Sequence, residues 1–296
     1  MFMRKNYIME IAGVVMAATF APAAKYFLPE VSNFQALCGG SAFSLVFMFL
    51  LNLFTNRLHL AKTYHMADYL RMAGLGFLGM FLYLSLYFNG LSHLTAQEGA
   101  IVNNLWPMLL VLFACAIDKE PLTVRKILAM LLSFAGVVVI MYGSAPGAEG
   151  NRFLGILSCV LGASCYALFA VLNRKLNYDM FFESMLIWIV CIFCCLIAGR
   201  ITEQWVVPDA RQLFGIAWIG IISNCLPYLL FALALKDVKN AAKITNMGYL
   251  IPFFSVLFSG IFLHEKLTAR TLVAFLMIIG GIVMQLKTDA SETGGG

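Results

Sequence analysis

Ten apolar runs, each close to the length of a bilayer crossing, leave this chain little freedom in what it can become. They fall at about 7–27, 32–54, 69–90, 95–116, 124–142, 153–173, 181–200, 211–234, 239–262 and 268–286. A hydrocarbon core roughly 30 Å thick takes about 20 apolar residues in a helix. The connections between runs are too short to hold a water-soluble domain. The runs are rich in Gly, Phe and Leu and do not alternate, which selects helices over barrel strands. Composition agrees: 61% of residues are hydrophobic and 12% charged, against roughly 45–50% and about 25% in soluble domains. With so little charge a water-facing surface cannot be covered, and the 25 Phe and 11 Tyr exclude disorder. The expected fold is an all-α, multi-pass integral membrane protein of ten transmembrane helices.

Lysine and arginine set the expected orientation. With a cytoplasmic N-terminus, fourteen of the 20 basic residues fall on the cytoplasmic side. Among them are Arg57, Lys62, Arg71, Arg174, Lys175, Lys236, Lys239 and Lys243. Both termini are then cytoplasmic. Arg4 and Lys5 followed by an apolar stretch and Ala21-Pro22-Ala23 imitate a signal peptide, but Glu10 inside the stretch and the repeat described next argue for a retained first span. The basic residues form no stripe, so the net charge of +5 points to no nucleic acid. The eight cysteines lie inside apolar runs with no metal-ligand spacing, and they read as small buried hydrophobes.

The chain contains itself twice. Glu120-Pro121-Leu122-Thr123-Val124-Arg125 precedes the fifth run, and Glu265-Lys266-Leu267-Thr268-Ala269-Arg270 precedes the tenth, a spacing of 145 residues. The same spacing pairs Ala129 with Ala274, Gly136 with Gly281, Val138 with Val283, Pro107 with Pro252 and Tyr83 with Tyr228. Each half carries an odd number of spans, so the second enters the membrane from the opposite side. Two inverted five-helix repeats follow, at 5–143 and 152–287, with a flexible tail at 288–296. Secondary transporters use this construction and place their site between the halves.

Candidate site residues are polar or aromatic groups near mid-span. Four prolines interrupt the runs and free the carbonyls of Ala18, Asn103, Ser223 and Gly248. Pro22 and Pro227 read as packing kinks, and Pro107 and Pro252 as cavity walls. Asn103 and Trp106 share a helix face beside Asn104, and Tyr83 and Tyr87 are one turn apart. Asn224, Tyr228, Thr245 and Asn246 approach from the second half. Amides with aromatic rings suit a small amphipathic solute, although each could equally be interhelical glue. Glu98 could carry a coupling proton or cap a helix start, while Glu10, Lys25 and Lys243 lie near span ends, where long side chains reach the interface. Gly74, Gly76 and Gly79 match GxGxxG but lie within a span, where small residues serve close packing. No HExxH, GxSxG or P-loop occurs, so no enzyme, no ATP and no cofactor are expected.

On these residues the chain resembles the drug/metabolite transporter superfamily, EamA family, over nearly its whole length. Ten spans in two halves, a Glu-x-Leu-Thr element before the last span of each, Lys25 ending the first span, and Tyr166 to Arg174-Lys175 closing the sixth carry the resemblance. The segment Glu98-Gly-Ala-Ile-Val-Asn103-Asn104-Leu-Trp106-Pro107 is similar to that of bacterial aromatic amino acid exporters of the family. The resemblance implies that Trp106, Pro107, Tyr83, Tyr87 and Tyr166 line a central cavity. Asn104 stands where those exporters have tyrosine, making the cavity more polar, and Ala17-Ala18 stands where the family often has Trp-Gly. The expected function is secondary export of small amphipathic metabolites, foremost amino acids, by a monomer or homodimer in the bacterial inner membrane. The alternatives are a multidrug exporter of lipophilic cations, for which Glu98 is the candidate carboxylate, and a non-transporting receptor or assembly subunit.

Overall fold

A computed structural model describes residues 2–119, 123–141, 150–234, 248 and 250–293. Glu120, Pro121, Leu122, Lys236, Lys239, Lys243, Thr245 and Asn246 lie outside the described residues. Among the described residues the ordered structure is helical. The first half comprises α1 (Phe2–Ala18), α2 (Phe20–Phe27), α3 (Asn33–Phe54), α4 (Met66–Gly76), α5 (Tyr83–His93), α6 (Ala96–Asn103), α7 (Trp106–Asp118) and α8 (Val124–Met141). The second comprises α9 (Arg152–Arg174), α10 (Met180–Thr202), α11 (Ala210–Ala217), α12 (Leu226–Ala234), α13 (Ile251–Phe262) and α14 (Ala269–Thr293). Seven helical runs are long and apolar enough to cross a membrane, and Ile251–Phe262 and Ala269–Met284 are shorter apolar helices. The helix Val124–Met141 coincides with the expected fifth run. This is a multi-pass membrane protein.

The expected runs are not all single rods. The first is broken at Thr19 and the fourth at Asn104–Leu105. The third and eighth are joined through π-helical turns, Phe77–Leu82 between α4 and α5 and Trp218–Cys225 between α11 and α12. A π-turn inserts an extra residue into the helix and recurs at functional sites. The 145-residue spacing carries 77–82 onto 222–227, so the two π-turns overlap in part, over 222–225.

Packing obeys the same exchange. The first run packs on the eighth (α1 on α12) and the sixth on the third (α9 on α5). The sixth also packs on the fourth (α9 on α7), as the first does on the ninth (α1 on α13). Helices that are counterparts touch each other directly: α3 packs on α10, and α8 on α14. In the second pair a Cβ on Gly136 would come 2.9 Å from the Ala274 carbonyl oxygen, and one on Gly281 would strike the Ala129 carbonyl. Between them the Ser133 hydroxyl donates to the Ile278 carbonyl at 3.3 Å. Contact of 129 with 281 and of 136 with 274 means that the two helices run antiparallel.

The α3–α10 pair is clasped at both ends. Arg57 pairs with Asp179 at one, where the Tyr64 hydroxyl accepts the Asp179 N–H at 3.0 Å. At the other, the Glu203 carboxylate accepts the Phe34 N–H at 3.0 Å. Of the three glycines of the GxGxxG match, Gly76 and Gly79 take the packing role, against Ile187 and Phe169, whereas Gly74 faces open space. All eight cysteines are free, and none is exposed. Gly281→Val is expected to lower stability by about 1–3 kcal/mol through overpacking, while Gly74→Ala is expected to be neutral. Heating detergent-solubilised protein and following the monodisperse fraction by size exclusion reads both; equal melting of the two variants would contradict the close contact.

Candidate functional site

The prolines organise the site by position within their helices. Pro22 is the third residue of α2, and Pro107, Pro227 and Pro252 are each the second residue of α7, α12 and α13. In a helix's first turn the missing N–H removes no intrahelical bond and the fixed φ is already helical. Pro22 and Pro107 therefore start helices after breaks at Thr19 and Asn104–Leu105, Pro252 starts α13, and Pro227 lies where the π-turn Trp218–Cys225 passes without a break into α12. Before Pro107 the Asn104 N–H reaches the Ala100 carbonyl at 3.1 Å and the Leu105 N–H the Val102 carbonyl at 3.1 Å, so the last turn tightens and the helix stops.

The segments around these prolines converge on one cavity of about 290 Å³ between the halves. Residues around all four reach it: Ala17, Phe20 and Ala21; Asn103, Asn104 and Trp106; Ser223, Asn224 and Pro227; Gly248 and Ile251. Many are counterparts at the 145-residue spacing, including Ala21 with Tyr166, Tyr83 with Tyr228, and Trp106 with Ile251. The cavity thus sits where the two halves exchange.

One wall is aromatic. Phe20 stacks on Tyr87 with centroids 5.1 Å apart, and Tyr87 on Tyr83 at 6.1 Å. Tyr83 meets Tyr166 at 4.9 Å, and Tyr166 meets Trp106 edge to face at 5.2 Å. Gly162 lets α9 approach this wall, since a Cβ there would lie 3.1 Å from the Tyr83 carbonyl oxygen. The Asn103 amide donates to the Tyr83 hydroxyl at 3.2 Å. Its Oδ1 is buried with no hydrogen-bond partner in the protein. Asn104 donates to the Ala100 carbonyl at 2.7 Å, which spends one of its two donors. Asn173 donates to the Tyr228 hydroxyl at 3.3 Å and so fixes that ring from behind.

The cavity also carries the polar side chains of Glu10, Ser223, Asn224 and Ser255. Glu10 is only 3% exposed, and its Oε2 has no hydrogen-bond partner in the protein. Its position two turns into α1 corrects the reading of Glu10 as a span-end residue that reaches the interface. Apolar neighbours on both sides concealed it, and the burial of an ionisable group in a span was the available signal.

Tyr83, Tyr87, Asn103, Asn104, Trp106, Tyr166, Asn224 and Tyr228 all line the cavity. Pro107 is not among the lining residues: it is buried in the first turn of α7 and positions Trp106, the residue before it. Pro227, read as a kink, does line the cavity, whereas Pro252 presents Ile251 in its place. Asn246 lies outside the described residues.

Glu98 is not a cavity residue either. It closes a capping box at the start of α6, where its N–H donates to the Thr95 hydroxyl at 3.2 Å, and it pairs with Arg152 of the second half. The same helix start is held by Glu265, whose carboxylate accepts the Ala96 N–H at 2.8 Å and the Gln97 N–H at 3.0 Å. Burial raises the Glu265 carboxyl from its ordinary value, and the two N–H groups and Lys25 oppose that rise. The glutamate of the second Glu-x-Leu-Thr element therefore caps a helix of the other half. Among the described residues no cluster of His, Cys, Asp or Glu could hold a metal ion.

The EamA-like transporter family matches residues 4–142 and 153–286, one copy in each half. The chain belongs to this family. Its members are transporters, not enzymes. Among its relatives, an uncharacterized transporter, YvbV, of Bacillus subtilis (strain 168) is 30% identical over 225 residues, covering 73% of this chain and 71% of that protein. The aromatic amino acid exporter YddG of Ancylobacter novellus is 24% identical over 214 residues, covering 69% and 71%. A solved crystal structure shares the fold with a TM-score of 0.70 at 18% identity, covering 95% of this chain and 96% of that one.

Arg152→Gln is expected to leave Glu98 buried and unpaired, at a cost of up to about 3–5 kcal/mol. Adding Glu98→Gln should restore much of that loss. Thermal melting of the two single variants and the double variant checks this; an additive double variant would mean that the pair is not coupled.

Proposed function

We propose that the protein is a secondary active exporter of small amphipathic metabolites, foremost amino acids, working by alternating access. Ten spans in two inverted halves with both termini on the cytoplasmic face complete this reading. The antiparallel contact of counterpart helices supports the inversion. The observation that carries the substrate class is a cavity lined both by a continuous aromatic cluster and by a carboxylate with an unpartnered oxygen. Rings receive an apolar side chain, while Glu10 and the Asn103 Oδ1 accept hydrogen bonds from an ammonium group. A volume of about 290 Å³ lies at the small end of the roughly 300–1,000 Å³ of small-molecule pockets, which suits a single metabolite. Similarity to an aromatic amino acid exporter supports the same class, and Asn104 gives the aromatic wall a polar neighbour.

Glu10 also favours a second reading, export of lipophilic cations, because it is a carboxylate that faces the cavity where Glu98 does not. Proteoliposomes loaded with labelled phenylalanine, threonine or tetraphenylphosphonium separate the two. Saturable efflux of an amino acid is expected, lost at least tenfold in Trp106→Ala. In Glu10→Gln the KM should rise about tenfold, equivalent to about 1.4 kcal/mol of binding. Efflux of the phosphonium alone would replace the first reading with the second, and flux of none would sink both. Protease accessibility of tags at the two termini in sealed vesicles checks the orientation: cleavage of only one would contradict it.

A further inference from the structure

Beside the central cavity lies a second, apolar groove of about 270 Å³. It runs between α2, the start of the eighth run and α13, and Pro22, Tyr26, Phe214, Trp218, Phe258 and Phe262 line it. Tyr26, Phe214 and Phe262 are among the exposed large apolar side chains, so in a multi-pass protein this groove opens to lipid.

One thin wall divides groove from cavity. Phe20 and Ala21 line the cavity, and the next two residues, Pro22 and Ala23, line the groove. At the wall's edge stands Thr19, which lines the groove, and Ser223, which lines the cavity, with their hydroxyl oxygens 2.8 Å apart. The Thr19 hydroxyl donates to the Met16 carbonyl at 2.6 Å, so Ser223 is the donor to Thr19. The indole N–H of Trp218 donates to the same oxygen at 3.1 Å. The wall is thus sealed by side-chain hydrogen bonds gathered on one hydroxyl, at the point where the first run is already interrupted and Pro22 supplies no N–H.

We propose that this groove is a membrane-side release site for the exported solute. It receives the apolar portion of an amphipathic amine from the cavity when the Thr19–Ser223–Trp218 seal parts, and the orientation proposed above puts it in the outer half of the bilayer. The two compartments have similar volumes, about 290 and 270 Å³. Continuity through a single pair of hydroxyls distinguishes the groove from an ordinary lipid-facing crevice. The inference rests on the transport reading and concerns those of its substrates that carry an apolar portion.

Photolabelling of the full chain in proteoliposomes with 4-benzoylphenylalanine methyl ester, followed by peptide mapping, tests it without measuring flux. Adducts are expected on peptides bearing Trp218 or Phe258 and on those bearing Trp106, all competed by phenylalanine methyl ester. Trp218→Phe keeps the ring and removes the N–H; it should shift the groove-to-cavity adduct ratio at least threefold, and Ser223→Ala should shift it in the same sense. Groove adducts that the ester does not compete would mean plain lipid partition and overturn the proposal, as would a ratio unmoved in both variants. Competed cavity adducts with none in the groove would overturn the release site and leave the transport reading standing. Competed groove adducts with none in the cavity would count against both.

Discussion

A backbone carbonyl inside a bilayer must find a partner, and this requirement governs where the helices of the protein can be broken. Pro22, Pro107 and Pro252 sit in first turns, where a missing N–H is harmless, and Pro227 follows directly on a π-turn; the backbone is broken at Thr19 and at Asn104–Leu105. Interrupted or irregular backbone facing lipid would be costly. Residues beside all four prolines instead border the central cavity, and Thr19, before Pro22, borders the lateral groove. The site is therefore a by-product of solving the backbone problem four times in one place.

The interface between the halves is built from two kinds of contact. Glycines and a serine bring α8 and α14 together at backbone distance, which suits a medium where apolar burial gives helices no reason to associate. At the helix ends, polar groups take over. Glu203 caps α3, Asp179 pairs with Arg57, and Glu265 and Arg152 hold the start of α6. Each of these contacts joins one half to the other near the ends of spans, while the middle is left to rings, amides and one carboxylate.

How much of this was legible in the sequence depended on whether a residue's role could be expressed as spacing. Tyr83 and Tyr87 were readable because residues four apart share a helix face, and Tyr228 because the 145-residue spacing carries one half onto the other. Trp106 and Asn103 were readable for the same helical reason, but the role of Pro107 was not. Whether a proline lines a cavity or starts a helix depends on where the helix breaks, and the break at Asn104–Leu105 leaves no periodic trace. Glu10 was misread because a hydrophobic run averages over its one carboxylate. The cap that Glu98 makes with Thr95 is local and was readable as a helix start, but Arg152, 54 residues from Glu98, and the partners of Glu265, at least 168 residues away, lie across the two halves, so nothing local could announce them. The groove was hidden for a similar reason, since its wall is made by Thr19 and Ser223 from opposite halves.

The contact between α8 and α14 has a consequence for the architecture as a whole. Gly136 meets Ala274 as Gly281 meets Ala129, so each helix offers the other the same patch that it receives. Such a surface is isologous in the sense used for two-fold oligomers, although both copies here belong to one polypeptide. The shape that holds the halves together is thus written twice in the gene product and read once in each direction across the membrane. A change on one side alters a surface whose mate was matched to the original, so drift in either half is constrained by the other.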